Sequence, residues 1–198
     1  MELYNIDFSK IDGAIISSVV PTVTITMKRA IKKITGCDAM IIGPGIKTGL
    51  SIVIDNPAQL GSDLVVDAVA GIHEYGAPII IFDLGTATTI SVVDKNNNYI
   101  GGGFKPQCGT SQLPRISLEE PKKIIGSNTV DCMKSGILYG TASSMDGMIE
   151  RIKEEIGEAK VVATGGLAST VVPHCKNDII LDDELLLKGL MIIYNKNI

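Results

Sequence analysis

Apolar residues recur in two rhythms along this chain: compact runs of four to seven, and longer stretches spaced by three and four. The run AIISSVV at Ala14 to Val20 predicts a short buried strand. Pro21 then suits the first turn of a helix on which Val23, Met27, Ala30, Ile31 and Ile34 share one face, and Gly36 stops it. Strand AMII from Ala39, a Gly-Pro-Gly turn at Gly43 to Gly45 and strand LSIVI before Asp55 come next. Asn56-Pro57 breaks the pattern, and a helix from about Ser62 to Tyr75 carries Val65, Val66, Val69 and Ile72 inward.

The second half opens on PIIIFDLGTATTISVVDKNNNYIGGGF. An apolar strand runs into Asp83, the chain turns at Gly85 and Thr86, a second strand leaves, and a third follows the Asn96 to Asn98 turn. After the poorly patterned KPQCGTSQLPRISLEEP, a long helix from Val130 to Ile156 is expected. Met133, Ile137, Leu138, Met145, Met148, Ile149, Ile152 and Ile156 trace its apolar face. Gly136 and Gly140, four apart, would let another backbone approach, within the subunit or across a dimer. AKVVATGG predicts a strand, followed by a short helix, strand DIILD and a closing helix ELLLKGLMIIY. Three strands in hairpin order, then helix, strand, helix, strand and helix, predict an α/β fold with a mixed sheet flanked by helices. This is the order of the ribonuclease H-like fold that the actin, sugar-kinase and heat-shock ATPase superfamily uses twice.

Composition narrows the function classes. The chain has 198 residues, 45% of them apolar, enough for a proper core. Net charge is −4 and the basic residues are scattered. Lys28, Arg29, Lys32 and Lys33 cluster only as the solvated, C-terminal part of a helix. No helix-turn-helix signature or basic stripe points to nucleic acid. Cys37, Cys108, Cys132 and Cys175 form no C-x-x-C pair, so a zinc site is not expected. No run approaches the roughly 18 apolar residues of a membrane span, and MELYNIDFSK lacks the features of a leader. A reduced, cytoplasmic protein is expected.

The candidate chemistry gathers at strand ends and helix starts. Asp83 would hold its carboxylate toward a cation. Gly85 lets backbone come close, and Thr86, Thr88 and Thr89 offer hydroxyls and amides to phosphate oxygens. Asp63 opens a helix, where free amides and the dipole favour a carboxylate, and a plain N-cap, the reading local sequence favours, would explain it without catalysis. Asn128-Thr129 precedes the long helix with the same alternative. ATGG at Ala163 to Gly166 suits a flat ring or sugar approaching bare backbone. GPGIKT at Gly43 to Thr48 imitates a phosphate loop, but Ile46 stands where Gly should precede the Lys.

In succession the chain reads IIGPGIKTGL, DNP, GSD, DLGTATT, YIGGG, LPRI, PKKIIGSNT, SGILYG, DGMIER and ATGGLA. In this order and spacing it closely resembles the type III pantothenate kinase family, from about Gly13 to Tyr194. The resemblance implies phosphorylation of the terminal hydroxyl of pantothenate by ATP, the entry step to coenzyme A, with Mg2+ on the nucleotide and an activating K+ or NH4+. It implies that Asp63 is the general base and that Asp83 holds the monovalent cation. Gly61, Ser62, Asp63, Leu64 and Thr129 would line the pantothenate pocket, and Gly85, Thr86 and Gly165 the nucleotide site. It further implies a homodimer with pantothenate near the interface, and a division into residues 1–76, the remainder of an N-terminal ribonuclease H-like domain, and 77–198, the C-terminal one.

The sequence departs from the family at four places. The family's opening Asp-x-Gly-Asn-Thr hairpin has no counterpart here, so the N-terminal domain is expected to be incomplete. Leu64 stands where the family has Arg, Ile54 where it has Tyr, and the loop between Gly103 and Leu113 is short. Two readings therefore stand side by side: an active kinase, or a catalytically impaired paralogue or fragment that acts as a binding or regulatory protein.

Overall fold

The computed structural model describes residues 7–85, 87–105, 119–121 and 123–198. A two-residue strand β1 (Ile15–Ile16) leads to helix α1 (Pro21–Thr35), which starts on Pro21 and ends on Gly36 at φ 77°. Strands β2 (Met40–Ile41) and β3 (Ser51–Ile52) precede helix α2 (Ser62–Tyr75). The hairpin strands β4 (Ile79–Leu84), β5 (Thr88–Val93) and β6 (Asn98–Lys105) follow. Then come α3 (Thr129–Ile156), β7 (Lys160–Thr164), the single turn α4 (Ala168–Val171), β8 (Ile180–Leu181) and α5 (Leu185–Asn195).

Six strands form one sheet in the order β3-β6-β5-β4-β7-β8. The β4–β5 and β5–β6 pairs are antiparallel, while β4–β7, β7–β8 and β3–β6 are parallel. From β6 to β8 this is the ribonuclease H-like arrangement, a mixed sheet covered by helices. Strand β4 reads as an almost continuous apolar run because both of its faces are covered. On one face Ile80, Phe82 and Leu84 pack with Leu138, Ala142, Met145 and Ile149 of α3. On the other, Ile79 and Ile81 meet Ala68 and Ala70 of α2 and Leu185 of α5. Each of the buried Ile, Leu, Phe and Met side chains among these contributes about 1.5–3 kcal/mol by leaving water.

Helix α2 is pinned from its far side by α5. A β-carbon on Gly189 would run into the backbone of Val66, so only glycine lets the two helices cross at this distance. Around that crossing Val66, Val69 and Ile193 share a core with Ile42, and Ile15 packs against it. The small sheet, β1 parallel to β2, therefore rests on the α2–α5 pair. Elements from either side of Gly76 interlock: β3 extends the main sheet beside β6, and α2 covers β4.

Two expectations are corrected. The face of α1 expected to turn inward lies largely in solvent, with Val23 51%, Met27 48% and Ile34 46% exposed. Thr24 is buried instead, its hydroxyl donating to the Val20 carbonyl at 3.0 Å. The stripe on α3 holds from Leu138 onward, while Ile137 is exposed and Met133 stays outside the core. Among the described residues nothing lies within 4 Å of where β-carbons on Gly136 and Gly140 would stand, so this pair makes no close packing inside the subunit.

Candidate active site

Parallel strands β4 and β7 end side by side, with Asp83 and Thr164 in register. Beyond parallel strand ends the chains diverge and leave a crevice, the usual place for ligands in open α/β sheets. Here the crevice is a cleft of about 420 Å³, walled by Asp63 and Asp67 of α2, Asp83 of β4, the Thr164-Gly165-Gly166 turn and the start of α5.

Asp63 does not cap its helix. Gly61 occupies the N-cap position with no side-chain bond, and the Asp63 carboxylate folds back over it, so Asp63 is not the N-cap residue. The acid stands in the first turn of α2, where the helix dipole favours negative charge. Ser62 is held by Ser17, the two hydroxyls 2.8 Å apart, a link across the fold that local sequence did not indicate.

Asp83 is half-buried, and burial followed by the charge of Asp63 raises its carboxyl above the ordinary range. Gly165 explains itself here. Its φ is +92°, and a β-carbon on it would overlap the Asp83 carboxylate and the Leu84 backbone. The glycine of ATGG thus lets the β7 turn pass directly over the acid.

Asp67 was missed by sequence reasoning. It lies one turn beyond Asp63, is 2% exposed, and its Oδ1 has no hydrogen-bond partner. Burial, then the charges of Asp83, Asp63 and Asp182, push its carboxyl up to about 7. The available signal was an acid inside the apolar run VVDAVA, four residues after Asp63 and so on the same helix face. Asp182 differs. Burial pushes its carboxyl up, but the Lys188 ammonium at 2.7 and 2.9 Å, the Tyr75 hydroxyl at 2.7 Å and the Glu184 N–H outweigh that and leave it lowered.

Other expected site residues stand apart. Gly61, Ser62 and Leu64 flank Asp63 without walling the cleft, and Gly85 lies next to Asp83, 3.6 Å from its carboxylate when given a β-carbon. Thr129 opens α3 in an exposed position outside the cleft. Its neighbour Asn128 is a genuine cap, accepting from the Asp131 N–H at 2.9 Å and donating to the Asp131 carboxylate at 2.8 Å. Thr86 and most of the short 104–113 loop lie outside the described residues. Gly43 to Thr48 serves as a brace: the Lys47 N–H donates to Asn197 Oδ1 and the Asn197 amide donates to the Lys47 carbonyl, both at 3.0 Å.

A family model for type III pantothenate kinase matches residues 1–151. The chain belongs to the type III pantothenate kinase family. The type III pantothenate kinase of Halalkalibacterium halodurans is 44% identical over 203 residues, spanning 98% of this chain and 80% of that protein. Its counterpart in Exiguobacterium is 41% identical over 98% of this chain and 80% of its own length. Among solved structures, a Baf family protein from Campylobacter jejuni superposes with a TM-score of 0.58 at 16% identity, over 96% of this chain and 86% of that one, a likeness of fold.

Proposed function

We propose that this chain phosphorylates pantothenate at its terminal hydroxyl with ATP, and that the Asp63 cleft is where the transfer occurs. What carries the reading is the convergence of Asp63 and Asp83, from α2 and β4, on one cleft at the strand ends, with the bare backbone of Gly165 between β7 and the acid. In this reading Asp63 accepts the hydroxyl proton as the oxygen forms its bond to the γ-phosphorus and the bond from that phosphorus to the bridging oxygen breaks, releasing ADP. Gly61, Ser62, Leu64 and Thr129 border pantothenate, and Gly85, Thr86 and Gly165 border the nucleotide.

Asp83 fits a monovalent cation, K+ or NH4+. Its half-buried carboxyl walls the open cleft and is raised by burial and then by the charge of Asp63, a setting that a cation relieves. Bound cations, this one and Mg2+ on the nucleotide, supply charge neutralisation for the phosphoryl group. The protein would work in the cytoplasm as a homodimer, an assignment supported by the exposed Gly136, Ile137 and Gly140 on α3; no helix among the described residues is long and apolar enough to cross a membrane.

A second reading rests on a specific observation. Among the described residues no cationic side chain walls the cleft, and Leu64 stands where the family resemblance calls for Arg. A paralogue with weak turnover that serves as a binding or regulatory protein would look like this. Mass spectrometry for phosphopantothenate, after incubation with ATP, Mg2+ and pantothenate in potassium, ammonium or sodium buffer, separates the two. Product that needs potassium or ammonium and vanishes in Asp63→Asn supports the kinase; no product from folded protein overturns it.

A further inference from the structure

Asp67 plays no part in the reaction just described, and its environment demands an explanation. A carboxylate that is 2% exposed with an oxygen lacking any partner normally costs several kcal/mol of uncompensated desolvation. The lysine that neutralises the neighbouring acid Asp182 is committed there. Lys188 places its ammonium on both oxygens of Asp182, and Tyr75 donates to the same carboxylate, so that network closes on itself and leaves Asp67 out. The strongest charge acting on Asp67 is that of Asp83, ahead of Asp63 and Asp182. Asp67 and Asp83 wall the same cleft, with Thr164, the register partner of Asp83, beside them.

The cleft as a whole is anionic. Asp63, Asp67, Asp83 and Asp183 wall it, and no Lys or Arg does so among the described residues. Such a cavity repels the phosphates that a kinase must admit unless its floor carries a counter-ion. Two like-charged, desolvated carboxylates beside each other are stabilised by a proton or by a cation, and only the cation also serves an anionic ligand.

We infer that Asp67 is a second carboxylate ligand of the cation held at Asp83, so that the ion sits between α2 and β4 and its binding couples the base of the cleft to the helix bearing Asp63. This rests on the reading of Asp83 given above. No group of three or more acidic, His or Cys side chains is placed to hold a metal ion among the described residues, so the inference rests on the pair Asp67 and Asp83.

The test is thermal melting of the whole chain in KCl or NH4Cl, with tetramethylammonium chloride holding ionic strength constant, for the wild type, Asp67→Asn, Asp83→Asn and Asp63→Asn. Ligand linkage makes Tm climb with the concentration of an ion that binds the folded state. The wild type and Asp63→Asn should climb in KCl. Asp83→Asn should stay flat, and Asp67→Asn should need at least about tenfold more KCl for the same rise. Asp67→Asn should also melt above the wild type in tetramethylammonium alone, which shows that it folds. If Asp83→Asn is flat while Asp67→Asn keeps the wild-type response, the Asp67 inference falls and the Asp83 reading stands. A wild type that ignores potassium and ammonium, or an Asp83→Asn variant that responds fully, overturns both.

Discussion

Gly165 lies so close over Asp83 that the glycine's missing side chain is what leaves the carboxylate room. Its left-handed φ of +92° excludes an unstrained alanine for a second, independent reason. Gly165→Ala should therefore lose about 1–3 kcal/mol in urea unfolding and, in the refolded fraction, the potassium-dependent rise in Tm. A variant with wild-type stability and a wild-type potassium response would contradict the close approach.

The pH dependence of stability has a definite sign at Asp67. Its carboxyl is raised from 3.8 to about 7, by burial first and by Asp83, Asp63 and Asp182 after it. Between those values the folded protein keeps a proton that the unfolded chain has released, so this group's contribution is full in acid and is lost as pH rises toward 7. Asp67→Asn should match the wild type near pH 4 and exceed it by roughly 2–4 kcal/mol above pH 7, in buffer free of potassium and ammonium. Denaturant midpoints across that range decide the point; a constant offset would count against it.

Asp146 carries the opposite sign. It is buried in α3, and although burial raises its carboxyl, the Asn177 side-chain amide and the N–H groups of Asn177 and Lys176, all within 3.0 Å, outweigh this and leave it lowered. The Asp of DGMIER is thus a clasp on the turn before β8. Asp146→Ala should cost about 1–3 kcal/mol at pH 7 and the gap should shrink as pH falls below the ordinary Asp range. Urea titrations at pH 7 and pH 3 measure it.

Thr129 is exposed and outside the cleft, yet the family resemblance assigns it to the pantothenate pocket. In a twofold dimer an exposed residue of one subunit can complete the pocket of the other. Asp63→Asn and Thr129→Ala should each be impaired alone, and mixed dimers should regain up to about a quarter of wild-type turnover, since half of the dimers then hold one intact composite site. Mixtures as inactive as their parents would place Thr129 in its own subunit's pocket.

The division at residues 76 and 77 is best tested by cutting there. Residues 77–198 alone would bare Ile79, Ile81 and Leu185, which α2 now covers. That fragment should aggregate or bind a hydrophobic dye, and a soluble fragment with a cooperative melt would show that the second stretch folds by itself.

The sequence made legible whatever is local or short-range. The hairpin at Asp83 is written in an apolar run, a glycine turn and a run of β-branched residues, and α2 in its valine spacing. Asp67 was hidden because its meaning depends on Asp83, sixteen residues away on a strand whose position α2 does not encode. Gly165 looked like any strand-to-helix turn until the register of β7 on β4 set it over the acid. The face of α1 misled for a related reason: periodicity states that a helix could bury Val23 and Met27, whereas exposure depends on what lies opposite.

The crossing of Gly189 over Val66 bears on how Asp63, the proposed base, is aimed. Helix α2 carries Asp63 and Asp67 at one end and, through Tyr75, is tied to Asp182 and Lys188 at the other. The clamp falls between the two acids, at Val66, so α2 is held at its acid-bearing start by α5 and by the Ser62–Ser17 contact as well as at its tail. Angular error at that start is governed by these contacts, so bulk added at Gly189 would mis-aim the two acids from the opposite side of the helix without touching the cleft.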